Sequence, residues 1–219
     1  MGKPSQLAPE QQRTLARLKR VPELAEFYLA GGTAVAHHLR HRTSVDLDLF
    51  SRTRDADLDA VARGALAVLD DAEVIAATDA TLTMRVGGVE VDVVRYPYPL
   101  LSQCVPGPEG FDVPGLRDLA VMKLAAIAKR GIYRDFWDLY AILQEGSVSL
   151  DDALDGYVRR FALSASDLYH VLRSLTYFGD AEAEVVMPRG LTPALWATIT
   201  RFFQDQVPSV ARRRLQEDQ

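Results

Sequence analysis

The 219 residues hold a single cysteine, Cys104, so no disulfide can form within the chain, and a reducing compartment is expected. No run approaches the roughly 18 consecutive apolar residues of a membrane-crossing helix. The opening MGKPSQLAPEQQ lacks the apolar segment of a signal peptide. The expectation is a soluble cytoplasmic protein with no membrane partner. Positive charge is in deficit: 25 Lys and Arg stand against 30 Asp and Glu, a net charge of -5. That removes any simple case for a nucleic-acid-binding field over the whole molecule. Neither an internal repeat nor a low-complexity segment interrupts the chain. Its hydrophobic content of 48% is that of a packed globular protein and excludes disorder throughout.

The hydropathy pattern divides the chain. Residues 9–20 have amphipathic helical spacing. Residues 26–30 (EFYLA) form a short apolar run that stops at Gly31-Gly32 and reads as a strand, and residues 33–40 read as a short helix. Residues 46–50 (DLDLF) alternate polar and apolar, the mark of a strand with one buried face. A helix is expected over 57–69 and strands over 73–77, 81–86 and 89–94, the last two joined by a Gly87-Gly88 hairpin turn. The proline-rich stretch 96–115 marks a boundary, because proline cannot continue a helix or sheet interior. Helical spacing follows over 116–129, 133–145, 150–161, 166–177 and 192–207, with N-cap signals at Ser149-Leu-Asp-Asp152 and at Ser166. The expected fold class is α+β: a small mixed β-sheet followed by an α-helical bundle.

Chemistry concentrates in YLAGGTAVAHHLRHRTSVDLDLF, residues 28–50. Glycines at a strand end let backbone approach a phosphate, and the following helix N-terminus and the Thr33 hydroxyl supply donors. Asp46 and Asp48 fall on one side of a strand, where two carboxylates can share a hard cation such as Mg²⁺. Taken singly, each part has a bland reading: a turn for the glycines, a solvated strand edge for the aspartates. On a second strand VEVDVV offers Glu90 and Asp92. Two-metal phosphoryl transfer takes a third acidic ligand, and Asp92, in the more apolar part of its strand, is the better candidate. The alternative is a wet strand face. In the helical half Lys123 interrupts the stripe of Leu116, Ala120 and Ile127, so it either snorkels or points into an anion site. Arg130 and Arg134 add positive charge at the helix junction. Asp135 and Asp138 are helix neighbours, read either as a substrate-positioning pair or as an N-cap with its capping-box partner. His37 and His38 receive no role.

These blocks together resemble the AbiEii/AbiGii toxin family of nucleotidyltransferases, whose relatives include the MenT toxins. The resemblance spans about residues 27–143 and rests on Gly31-Gly32-Thr33, on SVDLDLF, on VEVDVV, and on KLAAIAKRGIYRDFWDLYAIL from Lys123. The block from Gly31-Gly32-Thr33 to Asp46-Leu-Asp48 is shared by many DNA polymerase β-like nucleotidyltransferases, and the block from Lys123 is what points to this family in particular. The resemblance implies a nucleotidyltransferase catalytic core over 1–110, completed by a helical domain over 111–219. It implies that Asp46 and Asp48, with Asp92, bind Mg²⁺ or Mn²⁺. Gly31, Gly32 and Thr33 would hold the triphosphate of an NTP, with Lys123 and Arg134 on nucleotide phosphates, and Asp135 would be an essential carboxylate. The implied partners are a cognate antitoxin and, for some family members, the 3′ end of tRNA as acceptor. Basic candidates for an RNA surface are Arg40 and Arg42, then Lys129, Arg130 and Arg134, then Arg159 and Arg160, and the tail Arg212 to Arg214. A protein side chain or small molecule as acceptor, or a binding module without turnover, are the alternatives.

Overall fold

Hydrophobic alternation builds the first half around a sheet, and helical stripes build the second half around an aromatic core. The computed structural model describes residues 7–163 and 165–217. They form two compact units, one running to Gly115 and the other beginning at Leu116.

In the first unit, helix α1 (Pro9–Leu18) begins on a proline, whose fixed φ suits the first helical position. Strand β1 (Phe27–Leu29), helix α2 (Gly31–Leu39), strand β2 (Leu47–Ser51) and helix α3 (Leu58–Val68) follow. Asp57 caps α3 by accepting the Ala60 N–H at 2.9 Å. Strands β3 (Glu73–Ala77), β4 (Thr81–Val86) and β5 (Val89–Val94) complete a five-stranded sheet of order β1-β2-β5-β4-β3. All neighbours are antiparallel except β2 and β5, which are parallel, so the sheet is mixed as expected. Gly87 and Gly88 have φ of +59° and +80°, the backbone a tight hairpin of this hand requires. Leu47, Leu49, Leu82, Met84, Val91 and Val93 are essentially fully buried on one face of the sheet. Each contributes roughly 1.5–3 kcal/mol of burial. The intervening residues of β2, β4 and β5 face the other way.

The proline-rich stretch is not wholly irregular. It holds a two-residue ladder between β6 (Val105–Pro106) and β7 (Asp112–Val113), and Phe111 and Val113 are buried. Pro106 is tolerated in that ladder because a short edge strand leaves an N–H position that needs no bond.

The second unit contains α4 (Leu116–Arg130), α5 (Tyr133–Glu145), α6 (Leu150–Phe161), α7 (Ala165–Ser174), the single turn α8 (Gly179–Glu182) and α9 (Pro193–Glu217). Phe136 anchors its core, with ring centroids 5.2 Å from Phe178, 5.6 Å from Phe203 and 5.8 Å from Trp196. Ser149 caps α6 and forms the expected reciprocal box with Asp152. The cap signal at Ser166 concerns a side chain outside the described residues.

Three sequence expectations are corrected here. Helix α9 does not stop at Val207 but continues through Pro208, because Phe203, Val207 and Val210 keep one face of it buried on both sides of the proline. The glycines at 31 and 32 are not a turn before a helix but its first two residues. Asp135 is not the N-cap of α5. It is the third helical residue, its carboxylate reaching back 3.5 Å to the Ile132 N–H, and Asp138 takes no part in the cap. Among the described residues no helix is long and apolar enough to cross a membrane.

Candidate functional site

Sheet register brings the two strand carboxylates together. In the parallel pairing of β2 with β5, Asp48 lies directly opposite Asp92. In the antiparallel pairing of β5 with β4, Asp92 lies opposite Thr83. The three residues form a row across three neighbouring strands, on the face away from Leu47, Leu49, Val91 and Val93, with strands about 4.8 Å apart. Thr83 Oγ1 donates to Asp92 Oδ1 at 2.6 Å, which orients that carboxylate. Asp48 and Asp92 are half-buried, whereas Glu90 is exposed. Of the two acidic residues on β5, Asp92 is thus the one aligned with Asp48.

The backbone closes on this row at Gly31. Its φ is +58°, and a Cβ placed there would stand 1.9 Å from Asp48 Oδ2 and 2.5 Å from its Cγ. No L side chain fits on either count. The Ala30 N–H donates to the Asp48 carbonyl at 2.8 Å, so the strand end and the first turn of α2 are clamped to β2. Gly31 and Gly32 are half-buried. They open a nine-residue helix whose N-terminus starts beside a carboxylate that would repel an anion unless a cation lay between them.

Asp46 lies one residue before β2 and is held through its main chain. Thr33 Oγ1 donates to the Asp46 carbonyl at 2.5 Å and lies 2.7 Å from the Ser44 hydroxyl. Gln11 Nε2, from α1, donates to the same carbonyl at 3.3 Å. Thr33 is fully buried, and its hydroxyl is engaged inside the protein. Its role is to fix the loop that carries Asp46, rather than to present a donor at the surface as the sequence suggested.

The oxygen donor set of Asp46, Asp48 and Asp92 suits a hard cation such as Mg²⁺. Among the described residues no three His, Cys, Asp or Glu side chains converge into a ready-made ion cage. An ion held here would therefore draw part of its shell from water or from substrate phosphates, as Mg²⁺ commonly does.

The residues expected from the helical half form their own cluster in the second unit. Lys123 Nζ lies 3.0 Å from Asp135 Oδ1 and 2.8 Å from Asp138 Oδ2. Lys123 is buried without snorkelling, at 8% exposure, and Asp138 is at 0%. Arg134 is half-buried one position before Asp135.

Several of the basic candidates are consumed internally. Arg160 is fully buried against Asp118, donating to its carboxylate and, at 3.3 Å, to its carbonyl. Arg42 is buried, and Arg213 and Arg214 bind Asp151, with Arg214 also on Asp155. Lys129, Arg130, Arg159 and Arg212 are exposed. Burial, with His38 and Arg40 nearby, holds the His37 imidazole below its ordinary pKa and hence neutral near pH 7. Burial likewise pushes the Cys104 thiol up, which keeps it protonated and a poor nucleophile.

Sequence reasoning missed Thr83, Gln11 and Ser44 as partners, and it missed the pairing of Asp138 with Lys123. Thr83 was legible: counting back from the Gly87-Gly88 turn places it opposite Asp92. Gln11 carried no signal, since 35 residues separate it from Asp46.

Comparison with known proteins matches residues 13–217 to the model of a family described as nucleotidyl transferase AbiEii toxin, type IV TA system. An uncharacterized protein of Aquifex aeolicus (strain VF5), aq_aa25, is 30% identical over 203 residues, covering 92% of this chain and 96% of the relative. Among solved structures, MenT4, the nucleotidyltransferase toxin Rv2826c of Mycobacterium tuberculosis H37Rv, superposes with a TM-score of 0.58 at 15% identity, covering 88% of this chain and 80% of that one. The antibiotic-resistance factor ANT(2'')-Ia superposes with a TM-score of 0.50 at 12% identity, covering 73% of this chain and 96% of its own.

Proposed function

The chain belongs to the AbiEii family of nucleotidyl transferase toxins of type IV toxin–antitoxin systems, and from that premise we propose that it transfers a nucleoside monophosphate from an NTP to the 3′ end of tRNA, using Mg²⁺. The family makes it a nucleotidyltransferase with an NTP as co-substrate and an antitoxin as its counterpart. The metal, the acceptor and the residue roles are our reading.

One observation carries the catalytic assignment: Asp48 and Asp92 stand opposite each other on adjacent strands, with Gly31 pressed against Asp48. In the proposed reaction the acceptor hydroxyl attacks the α-phosphorus of the NTP. The new ester bond forms as the bond to the β-phosphate oxygen breaks, the hydroxyl proton leaves, and pyrophosphate is released. Asp46, Asp48 and Asp92 would hold the metal, which when bound supplies charge neutralisation at the triphosphate and acidifies the hydroxyl. Thr83 orients Asp92, and Thr33 and Gln11 hold the backbone of Asp46. Gly31 and Gly32 offer close backbone approach to the triphosphate. Lys123 and Arg134 are assigned to nucleotide phosphates and Asp135 to proton acceptance. Such chemistry is positioning plus electrostatic stabilisation, and it needs no covalent intermediate.

The test supplies the full chain with Mg²⁺, each α-labelled NTP in turn and total tRNA, with Asp48→Ala alongside. Label in tRNA for one nucleotide, at least ~100-fold above the Asp48→Ala variant, is expected. Label entering a protein or small molecule instead would move the acceptor assignment and leave the chemistry standing. Incorporation unaffected by Asp48→Ala would remove the metal assignment.

A further inference from the structure

The two oxygens of the Asp92 carboxylate are not equivalent. Thr83 Oγ1 donates to Oδ1 at 2.6 Å, the length of a strong bond from a hydroxyl to a carboxylate. Among the described residues this is the one hydrogen bond that the Asp92 side chain makes, so Oδ2 has no protein donor. Strand β5 lies between β4 and β2, which sets Thr83 on one flank of Asp92 and Asp48 on the other. The last torsion of an aspartate is broad by itself, and the Thr83 bond narrows it, keeping Oδ1 on the β4 flank. The stiff, β-branched threonine, fixed opposite Asp92 by the strand pairing, is suited to hold that rotation. Such a division between the oxygens discriminates among hard cations. Mg²⁺ demands near-ideal octahedral geometry at about 2.0–2.1 Å, which one oxygen per carboxylate satisfies. Ca²⁺ gathers about six to eight oxygens at about 2.3–2.6 Å and readily takes both oxygens of one carboxylate. To chelate an ion with both, Asp92 would have to turn Oδ1 away from β4 and give up the Thr83 bond.

We infer that Thr83 is a positioning residue that makes Asp92 a one-oxygen ligand and thereby sets a preference for Mg²⁺ over Ca²⁺. The inference rests on the proposed metal role of Asp48 and Asp92. It adds to that reading which oxygen of Asp92 serves, and why a site of carboxylates is not left open to the larger ion. The device lies wholly within the sheet of the first unit, since β4, β5 and β2 supply every residue it uses. Two substitutions separate the hydroxyl from the rest of the side chain. Thr83→Val keeps the branched shape and the strand propensity and removes the donor. Thr83→Ser keeps the donor and removes the methyl group.

Metal binding without nucleotide tests this directly. Free Mn²⁺ is followed by electron paramagnetic resonance on the full chain and on Thr83→Val, Thr83→Ser and Asp48→Ala, with Mg²⁺ and Ca²⁺ as competitors and thermal melting as the fold control. The parent binds Mn²⁺ and yields it to Mg²⁺ at a lower concentration than to Ca²⁺. In Thr83→Val the ratio of the Ca²⁺ to the Mg²⁺ dissociation constant falls about tenfold, the scale of one lost hydrogen bond to a charged group. Thr83→Ser keeps the parent's ratio. A merely structural role for Thr83 would weaken both ions alike and leave the ratio where it was. If Thr83→Val keeps the parent's ratio, if Thr83→Ser shifts it as Thr83→Val does, or if the parent shows no preference for Mg²⁺, the inference is overturned and the metal assignment stands. If the parent binds Mn²⁺ no better than Asp48→Ala, the metal assignment itself fails. Should Thr83→Val not fold, Thr83→Ala, which also lacks the hydroxyl, decides by the same ratio.

Discussion

Gly31 is the residue on which the site depends most visibly. Its φ of +58° is strained for any L side chain, and its missing Cβ is the space that the Asp48 carboxylate fills. Gly31→Ala should cost about 1–3 kcal/mol from backbone strain alone. It also displaces Asp48, and a misplacement of about 1 Å in such a site lowers turnover on the order of 100-fold. Steady-state incorporation of labelled NTP, read beside a thermal melt, separates the two effects. A Gly31→Ala protein with the parent's activity would show that Asp48 need not hold this position. His37 gives a pH signature at the same scale. Its pKa is lowered in the fold, and its Nδ1 is enclosed with no hydrogen-bond partner among the described residues. The unfolded chain takes up that proton near pH 6.5 while the folded chain resists it. The stability this provides is present above about pH 6.5 and declines as pH falls toward the lowered value. His37→Gln should therefore lose less of its denaturation midpoint than the parent between pH 7.5 and 5.5. Equal losses would remove His37 as the source.

At the scale of elements, each strand boundary does chemical work. Asp48 is available because β2 pairs parallel with β5, which puts position 48 against 92 rather than one residue to either side. A one-residue slip would turn Asp48 to the core face and Leu49 outward. In the helical unit, α4 and α6 are joined by the fully buried Asp118–Arg160 pair. Arg160→Met should cost about 3–5 kcal/mol, because it removes the cation of a fully buried ion pair. Pairing it with Asp118→Leu should restore much of that loss. Amide exchange would localise the change to α4 and α6. If the double variant stays as unstable as the single one, the broken ion pair is not the cause. Because Arg160 is spent this way, it is unavailable to RNA, and its loss should act on stability before it acts on any acceptor.

For the whole molecule the net charge of -5 limits how an RNA acceptor could be held. With Arg42 and Arg160 buried and Arg213 and Arg214 on Asp151, the exposed basic groups left from the expected set include Lys129, Arg130, Arg159 and Arg212. Four phosphate contacts would give a slope of about -3 to -4 in log affinity against log salt. Fluorescence anisotropy of labelled tRNA across a KCl series measures this. A flat dependence would point to an acceptor that is not a polyanion.

Local pattern alone was sufficient for much of this protein. Alternation in DLDLF and VEVDVV, the Gly87-Gly88 turn, and helical stripes from residue 116 onward foretold the mixed sheet, its hairpin and the helices after it, because each depends on neighbours within a few residues. The acidic residues were legible as candidates for the same reason. Tertiary structure decided which of them meet and what they cost. The parallel pairing of β2 with β5, the burial of Thr33 under the Asp46 loop, the reach of Gln11 from α1, and the capture of Lys123 between two carboxylates all join residues by packing rather than by spacing. Charge count shows the same division: the chain spells out its arginines, but only burial determines which of them face a partner and which are neutralised within.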